Sequence, residues 1–197
     1  MASGSSPPGP AFAEPVADAA EVFRVLLDAM ARPARVCNFG GDLQPIDGVY
    51  SATLATLLTL ADNDTPVCLI GAGGLELGAY LRFHCGCRVV EDPADAAFGL
   101  ICDPALASRA FEFPIGSDEY PDRSATVILQ VASLTSGPSR TIQGPGIPSA
   151  VKFAPVVDAD FWTAWCANAR LYPCGIDVIF TCGNQIAALP RSSRLEG

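Results

Sequence analysis

The stretch Thr65-Pro66-Val67-Cys68-Leu69-Ile70-Gly71-Ala72-Gly73-Gly74-Leu75-Glu76-Leu77-Gly78-Ala79-Tyr80-Leu81-Arg82-Phe83-His84 decides the fold class. An apolar run opens behind a proline, breaks at glycines, and resumes as a helical segment, which is the order strand, turn, helix. Arg88 to Val90 and Phe98 to Cys102 read as further strands, so the alternation predicts an α/β unit. Thr126 to Ala132 is an almost unbroken β-branched and apolar run, as expected of a strand buried on both faces. Arg140 to Gln143 is expected to pair beside it. Ile176 to Thr181 and Gln185 to Leu189 flank Cys182-Gly183-Asn184, a hairpin signal.

Outside this region, Val22, Val25, Leu26, Ala29 and Met30 recur at helical spacing from Pro15, with Asp18 near the start and Arg32-Pro33 at the end. Arg35 to Phe39 reads as a short strand before a Gly-Gly-Asp turn. Val49 to Leu60 reads as a second helix, broken by Ala61-Asp62-Asn63-Asp64. Asp158 to Tyr172 reads as a helix carrying Phe161, Trp162 and Trp165. Early alternation followed by a late hairpin predicts a mixed sheet flanked by helices.

The chain of 197 residues is half hydrophobic, enough to bury one core, and a single domain over residues 16–197 is expected. Met1 to Pro10, MASGSSPPGP, lacks an apolar face and charge, which predicts a disordered tail over residues 1–15. No positive, apolar leader and no apolar run near the roughly 18 residues of a membrane span is present. A cytoplasmic location is therefore expected. With 21 acidic against 12 basic residues, the formal charge of -9 disfavours nucleic acid and anionic membranes. An anionic substrate would need local positive charge, from this chain or from a partner. The eight cysteines read as free thiols packed in the core.

Candidate sites are few. Gly71-Ala72-Gly73-Gly74 sits where a phosphate loop would, but the third glycine of the dinucleotide fingerprint falls at Glu76 and no phosphate-loop lysine follows. Gly144-Pro145-Gly146 reads as a turn. His84-Cys85-Gly86-Cys87 gathers metal-ligand types, yet Cys-x-Cys is poor zinc spacing and would need Cys68 or Cys102 in support. Asp62 and Asp64 could act as paired carboxylates or bind a hard cation, although Asp and Asn also make helix-to-strand turns. Lys152 is the only lysine, so any Schiff-base chemistry would pass through it, in a stretch that reads as loop. With one histidine, a Ser-His-Asp or Cys-His system would have to use His84. The aromatic helix reads as core, with a partner interface as the alternative.

Two blocks are worded more densely than packing requires: Leu57-Leu58-Thr59-Leu60-Ala61-Asp62-Asn63-Asp64-Thr65-Pro66-Val67 and Pro173-Cys174-Gly175-Ile176-Asp177-Val178-Ile179-Phe180-Thr181-Cys182-Gly183. With Leu81-Arg82-Phe83-His84, Ala125 to Leu134 and Ala188-Leu189-Pro190-Arg191, the chain resembles the PhnH family, the H subunit of the bacterial carbon-phosphorus lyase system. The resemblance runs from about Val16 to Glu196, with Met1 to Pro15 and Phe113 to Asp122 departing as surface segments. It implies a three-layer αβα sandwich similar to pyridoxal-phosphate-dependent transferases but without the cofactor. It also implies a homodimer, partnership with the G, I and J subunits, and, with G, I and L, transfer of a phosphonate to ribose C1′ of a nucleoside triphosphate. The J subunit would later break the carbon-phosphorus bond. No catalytic, cofactor or metal residue is expected in the isolated chain; Asp62, Asn63, Asp64, Arg82 and His84 are the candidates for an interface or shared site. The alternatives are an independent enzyme acting through Lys152 or a His84-Cys85-Cys87 metal site, and a nucleotide-binding module.

Overall fold

In the computed structural model, which describes residues 9–41, 43–44, 46–71 and 74–196, a seven-stranded sheet carries the whole arrangement. Helix α1 (Pro15–Ala31) leads to β1 (Cys37–Asn38), α2 (Ser51–Leu60), β2 (Val67–Ile70), α3 (Gly74–His84), β3 (Val89–Val90) and β4 (Phe98–Ile101). A run of 3-10 turns, Pro104–Glu112, precedes β5 (Thr126–Gln130), β6 (Arg140–Gln143), β7 (Val151–Phe153) and α4 (Ala159–Ala169). The hairpin β8 (Asp177–Cys182) and β9 (Gln185–Leu189) follows, then β10 (Arg194–Leu195). The main sheet has the order β1-β9-β8-β5-β4-β2-β3, and β9 alone runs against the others.

Register explains why the central strands are apolar on both sides. Leu69, Leu100, Ile128, Ile179 and Ala188 pair across the sheet in one row. That row faces α1, α2 and α3 through Leu26, Leu57, Leu81 and their neighbours. The next row, Ile70, Ile101, Leu129, Phe180 and Ala187, faces the other way, onto α4, the Pro104–Glu112 turns and the small sheet. Each fully buried leucine such as Leu54 or Leu57 contributes roughly 2 kcal/mol of transfer free energy to this packing. Phe161 and Trp165 are fully buried and stack at 6.4 Å between ring centroids, and Trp162 is buried too, so the aromatic helix is core on this side.

The helices follow their sequence cues. Pro15 occupies the first turn of α1, and Asp18 accepts a 2.9 Å hydrogen bond from the Glu14 N–H. Asp158 caps α4 by accepting from the Phe161 N–H at 2.8 Å. The β8–β9 loop is Gly183-Asn184; with φ +58 at Gly183 and no positive φ at Asn184, it has the pattern of a type II′ turn.

Several expectations are corrected. Arg140–Gln143 does not join β5, because β4 and β8 already occupy both of its edges; it forms a separate three-stranded sheet, β10-β6-β7. The layer opposite α1 to α3 is therefore one α-helix, 3-10 turns and a small sheet rather than helices alone. Lys152 stands on β7, not in a loop, paired with Thr141 and exposed. Phe113 is no surface residue: its buried ring fills the space above Gly99, where a Cβ would lie 2.4 Å from it. The strand expected over Arg35–Phe39 shrinks to two residues. Of the expected tail, residues 1–8 lie outside the described residues. Residues 9–12 lie against α3, with the Tyr80 hydroxyl donating to Pro10 O at 3.2 Å and Phe12 touching the core.

Candidate functional site

In an open α/β sheet the favoured place for a ligand is the crevice beyond the carboxyl ends of the parallel strands, where the strand order reverses. Here the chain leaves β2 for β3 on one side and returns to β4 on the other, so the reversal lies between β2 and β4. Next to it, beyond the ends of β4 and β5, lies a crevice of about 600 Å³ lined by Ile46, Asp47, Gly48, Val49, Tyr50, Cys102 and Gln130. The loop before α2 forms one wall and the ends of β4 and β5 the other.

Its floor is a closed, uncharged hydrogen-bond network. Gln130 Oε1 accepts from the Tyr50 N–H at 2.7 Å and from Thr53 Oγ1 at 2.8 Å, while its Nε2 donates to Gly48 O at 2.9 Å. Thr53 has one hydroxyl hydrogen and spends it on Gln130, so at 2.7 Å Thr181 Oγ1 must be the donor to Thr53. The Ala52 N–H donates to Gly183 O at 3.0 Å. Tyr50 and Ala52 stand at the start of α2, so its amino end is occupied by protein acceptors.

Among the described residues, no lysine, arginine or histidine lines the crevice. Its one thiol, Cys102, is pushed up by burial to about 11, which keeps it protonated near neutral pH and unsuited to nucleophilic work. Next to it, Gly71 adopts φ +100, and a Cβ there would sit 3.3 Å from Asp103 N. That close approach serves strand packing, and the Asp103 carboxylate is taken up by the Ala105 N–H at 2.9 Å. Ala72 and Gly73 of the glycine run lie outside the described residues. Lys152, the only lysine, is on the small sheet, so no Schiff-base partner reaches this crevice.

The residues singled out from the sequence gather at the opposite edge, where the strands begin. Asp62 Oδ1 accepts from the Asp64 N–H and from Thr65 Oγ1, both at 2.9 Å, and Asn63 Nδ2 donates to Asp64 Oδ1 at 3.1 Å. The Thr65 hydroxyl and the Asp64 N–H hold the Asp62 carboxyl below its usual value. This is turn chemistry between α2 and β2. Arg82 and His84 occupy the last turn of α3, where a helix carboxyl end favours positive charge. The His84 Nε2 lies 3.0 Å from Gly9 O, and its ring packs 4.4 Å from Tyr80. Among the described residues no hydrogen bond or ion pair joins Asp62, Asn63 or Asp64 to Arg82 or His84, and no three His, Cys, Asp or Glu side chains could hold a metal. The neighbouring Cys85 and Cys87 thiols push each other apart in acidity, Cys85 up and Cys87 down, and the Cys85 thiol donates to Leu57 O at 3.9 Å.

The dense wording of the second sequence block has a structural cause. Arg191 grips Asp177 through Nη2 at 2.6 Å and Nε at 3.1 Å, its own N–H adds 2.7 Å, and Nη1 donates to Pro121 O at 2.8 Å. The Asn168 side chain pairs with both backbone groups of Ile176, and Gly175, at φ +112, leaves no room for a Cβ, which would lie 2.8 Å from Asn168 Oδ1. Sequence reasoning missed Gln130, Thr53 and Thr181. The available signal was a glutamine closing an otherwise apolar buried strand at its carboxyl end.

The family model for bacterial phosphonate metabolism protein (PhnH) matches residues 10–196. The chain is 35% identical over 188 residues, 94% of each chain, to the alpha-D-ribose 1-methylphosphonate 5-triphosphate synthase subunit PhnH of Rhizobium meliloti (strain 1021). It is 30% identical over 179 residues to the putative C-P lyase subunit protein HtxG of Stutzerimonas stutzeri, covering 88% of this chain and 83% of that one.

Proposed function

The chain belongs to the PhnH family of bacterial phosphonate metabolism proteins, and on that footing we propose that it is a subunit of a carbon-phosphorus lyase assembly in phosphonate breakdown. Within that assembly it supports formation of α-D-ribose 1-methylphosphonate 5-triphosphate, as the name of its Rhizobium meliloti relative says of that protein. The observation that carries this reading is a match over nearly the whole chain at both levels, family model and relative.

In this proposal the chain acts as a cytoplasmic homodimer that joins the G, I and J subunits, with L in the transfer step, and enables rather than performs the chemistry. Asp62, Asn63, Asp64, Arg82 and His84, all on one edge of the sheet, are the surface offered to a neighbouring chain. Both apolar clusters rest on the same sheet, which supports reading residues 16–197 as one unit. A seven-stranded mixed sheet between layers supports a likeness in fold to pyridoxal-phosphate-dependent transferases, without the cofactor.

Co-expression with the G, I and J counterparts, followed by affinity purification and native mass determination, tests the proposal. Stable co-purification is the expected result. A chain that runs alone, or one that turns over substrate unaided, overturns it in favour of an independent enzyme.

A further inference from the structure

Along the edge strand β10 runs a groove whose charge opposes that of the rest of the molecule. Three contiguous cavities of about 450, 600 and 330 Å³ form it. Tyr172 and Arg194 line the first two, while Cys166, Leu195 and Glu196 line the second and third. Arg140, Arg170 and Arg194 face a single carboxylate, Glu196, on a chain with a formal charge of -9. Among the described residues none of these three guanidiniums enters an ion pair; the four pairs formed use Arg32, Arg35, Arg109 and Arg191.

Each arginine has a plain local reason. Arg170 ends α4, where positive charge suits the helix dipole, and Arg194 protects an exposed strand edge. Neither reason accounts for their convergence with Arg140 on one groove. Two further features also point to a ligand. Trp162, in the wall of the third cavity, is only 3% exposed and its Nε1 has no hydrogen-bond partner. An indole N–H only donates, so an acceptor is what would satisfy it. In the wall of the first two cavities Tyr172 is 57% exposed, an aromatic face open to stacking.

We propose that this groove binds an organic phosphate of the nucleotide kind, with its phosphoryl chain across Arg170, Arg194 and Arg140 and its flat ring against Tyr172. The anion preference stands on the groove itself; the choice of a triphosphate rests on the function proposed above. Multiply charged phosphoryl oxygens accept charge-assisted hydrogen bonds from guanidinium forks, which a neutral ligand would not.

Titration calorimetry of the full chain with ATP and with inorganic tripolyphosphate tests this. Both bind, and binding weakens as salt rises. Arg170→Gln and Arg194→Gln, exposed and so compatible with folding, each weaken both ligands by about tenfold, the factor expected for one contact to a charged group. Tyr172→Ala removes the advantage of ATP over tripolyphosphate. Arg88→Gln, on the edge where the strands begin, removes one positive charge without effect. No heat from either ligand at millimolar concentration overturns the inference, as does an equal loss in Arg88→Gln. The same variants are carried through co-purification with the G, I and J subunits. If Arg170→Gln and Arg194→Gln lose partners while wild type binds no phosphate, the groove is a protein contact and the inference falls, although the assembly reading stands. If wild type binds ATP but joins no assembly, the groove stands and the assembly reading falls.

Discussion

The two edges of the main sheet solve the same problem with opposite chemistry. Where the strands end, Gln130, Thr53 and Thr181 tie β5 and β8 to α2 through neutral groups, and the amino end of α2 is satisfied by the Gln130 side chain and Gly183 O. Where they begin, the ties are ionic: Arg191 locks Asp177 with its side chains only 17% and 12% exposed, and Asp62 folds its carboxylate into the turn before β2. α2 and α3 both point their carboxyl ends at this second edge, so Arg82 and His84 are favoured there. The edge that in many α/β proteins serves ligands is here built for cohesion. Asp62 and Asp64, weighed as paired carboxylates, are held in their turn by hydrogen bonds from Thr65, the Asp64 N–H and Asn63.

If the ionic edge is the stronger clamp, Arg191→Ala should be the most damaging single change. It leaves Asp177 charged and nearly buried without its partner, and a loss of about 3 kcal/mol in urea unfolding is expected. A loss below about 1 kcal/mol would mean water rescues Asp177 and the contrast is weaker than drawn. At the other edge, Gln130→Leu strands the Tyr50 N–H, Gly48 O and the Thr53 hydroxyl, for an expected cost of about 2 kcal/mol. The milder Thr181→Val removes one donor, for about 1 kcal/mol. Combined with Gln130→Leu, it should cost less than the sum of the two, because both act through Thr53. Strict additivity would argue against a connected network.

The smallest effect concerns Asp62. Its folded carboxyl titrates below the ordinary aspartate value of 3.8, so the unfolded chain takes up the proton first as pH falls. The stabilisation is therefore present above that value and is lost as pH drops through the folded one. Thr65→Val removes the largest cause, and NMR titration should then find Asp62 moved back up toward 3.8. An unmoved midpoint would leave the Asp64 N–H as the main support.

Periodicity exposed the elements but not their company. Val127-Ile128-Leu129 reads as a buried strand from composition alone, and Gly183-Asn184 reads as a turn because the backbone there must take a positive φ. Arg140–Gln143 reads correctly as a strand, yet nothing local says that β5 has no edge left for it. Lys152 looks like loop among Pro148, Ser149 and Val151 because a three-residue edge strand leaves almost no alternation. Gln130 looks like the end of a strand, since its partners lie 77 to 82 residues away in the loop before α2 and in α2 itself.

What the sequence by itself determined was the class of the fold, the order of its helices and strands, and the family, because those depend on short-range periodicity and on blocks read in order. Only the tertiary structure decided that Asp62 and His84 lie at the edge where the strands begin, that a neutral network closes the crevice, and that three arginines share a groove. Those facts depend on which distant residues the sheet brings side by side, and strand pairing is chosen by the packing of the whole chain rather than by any one segment.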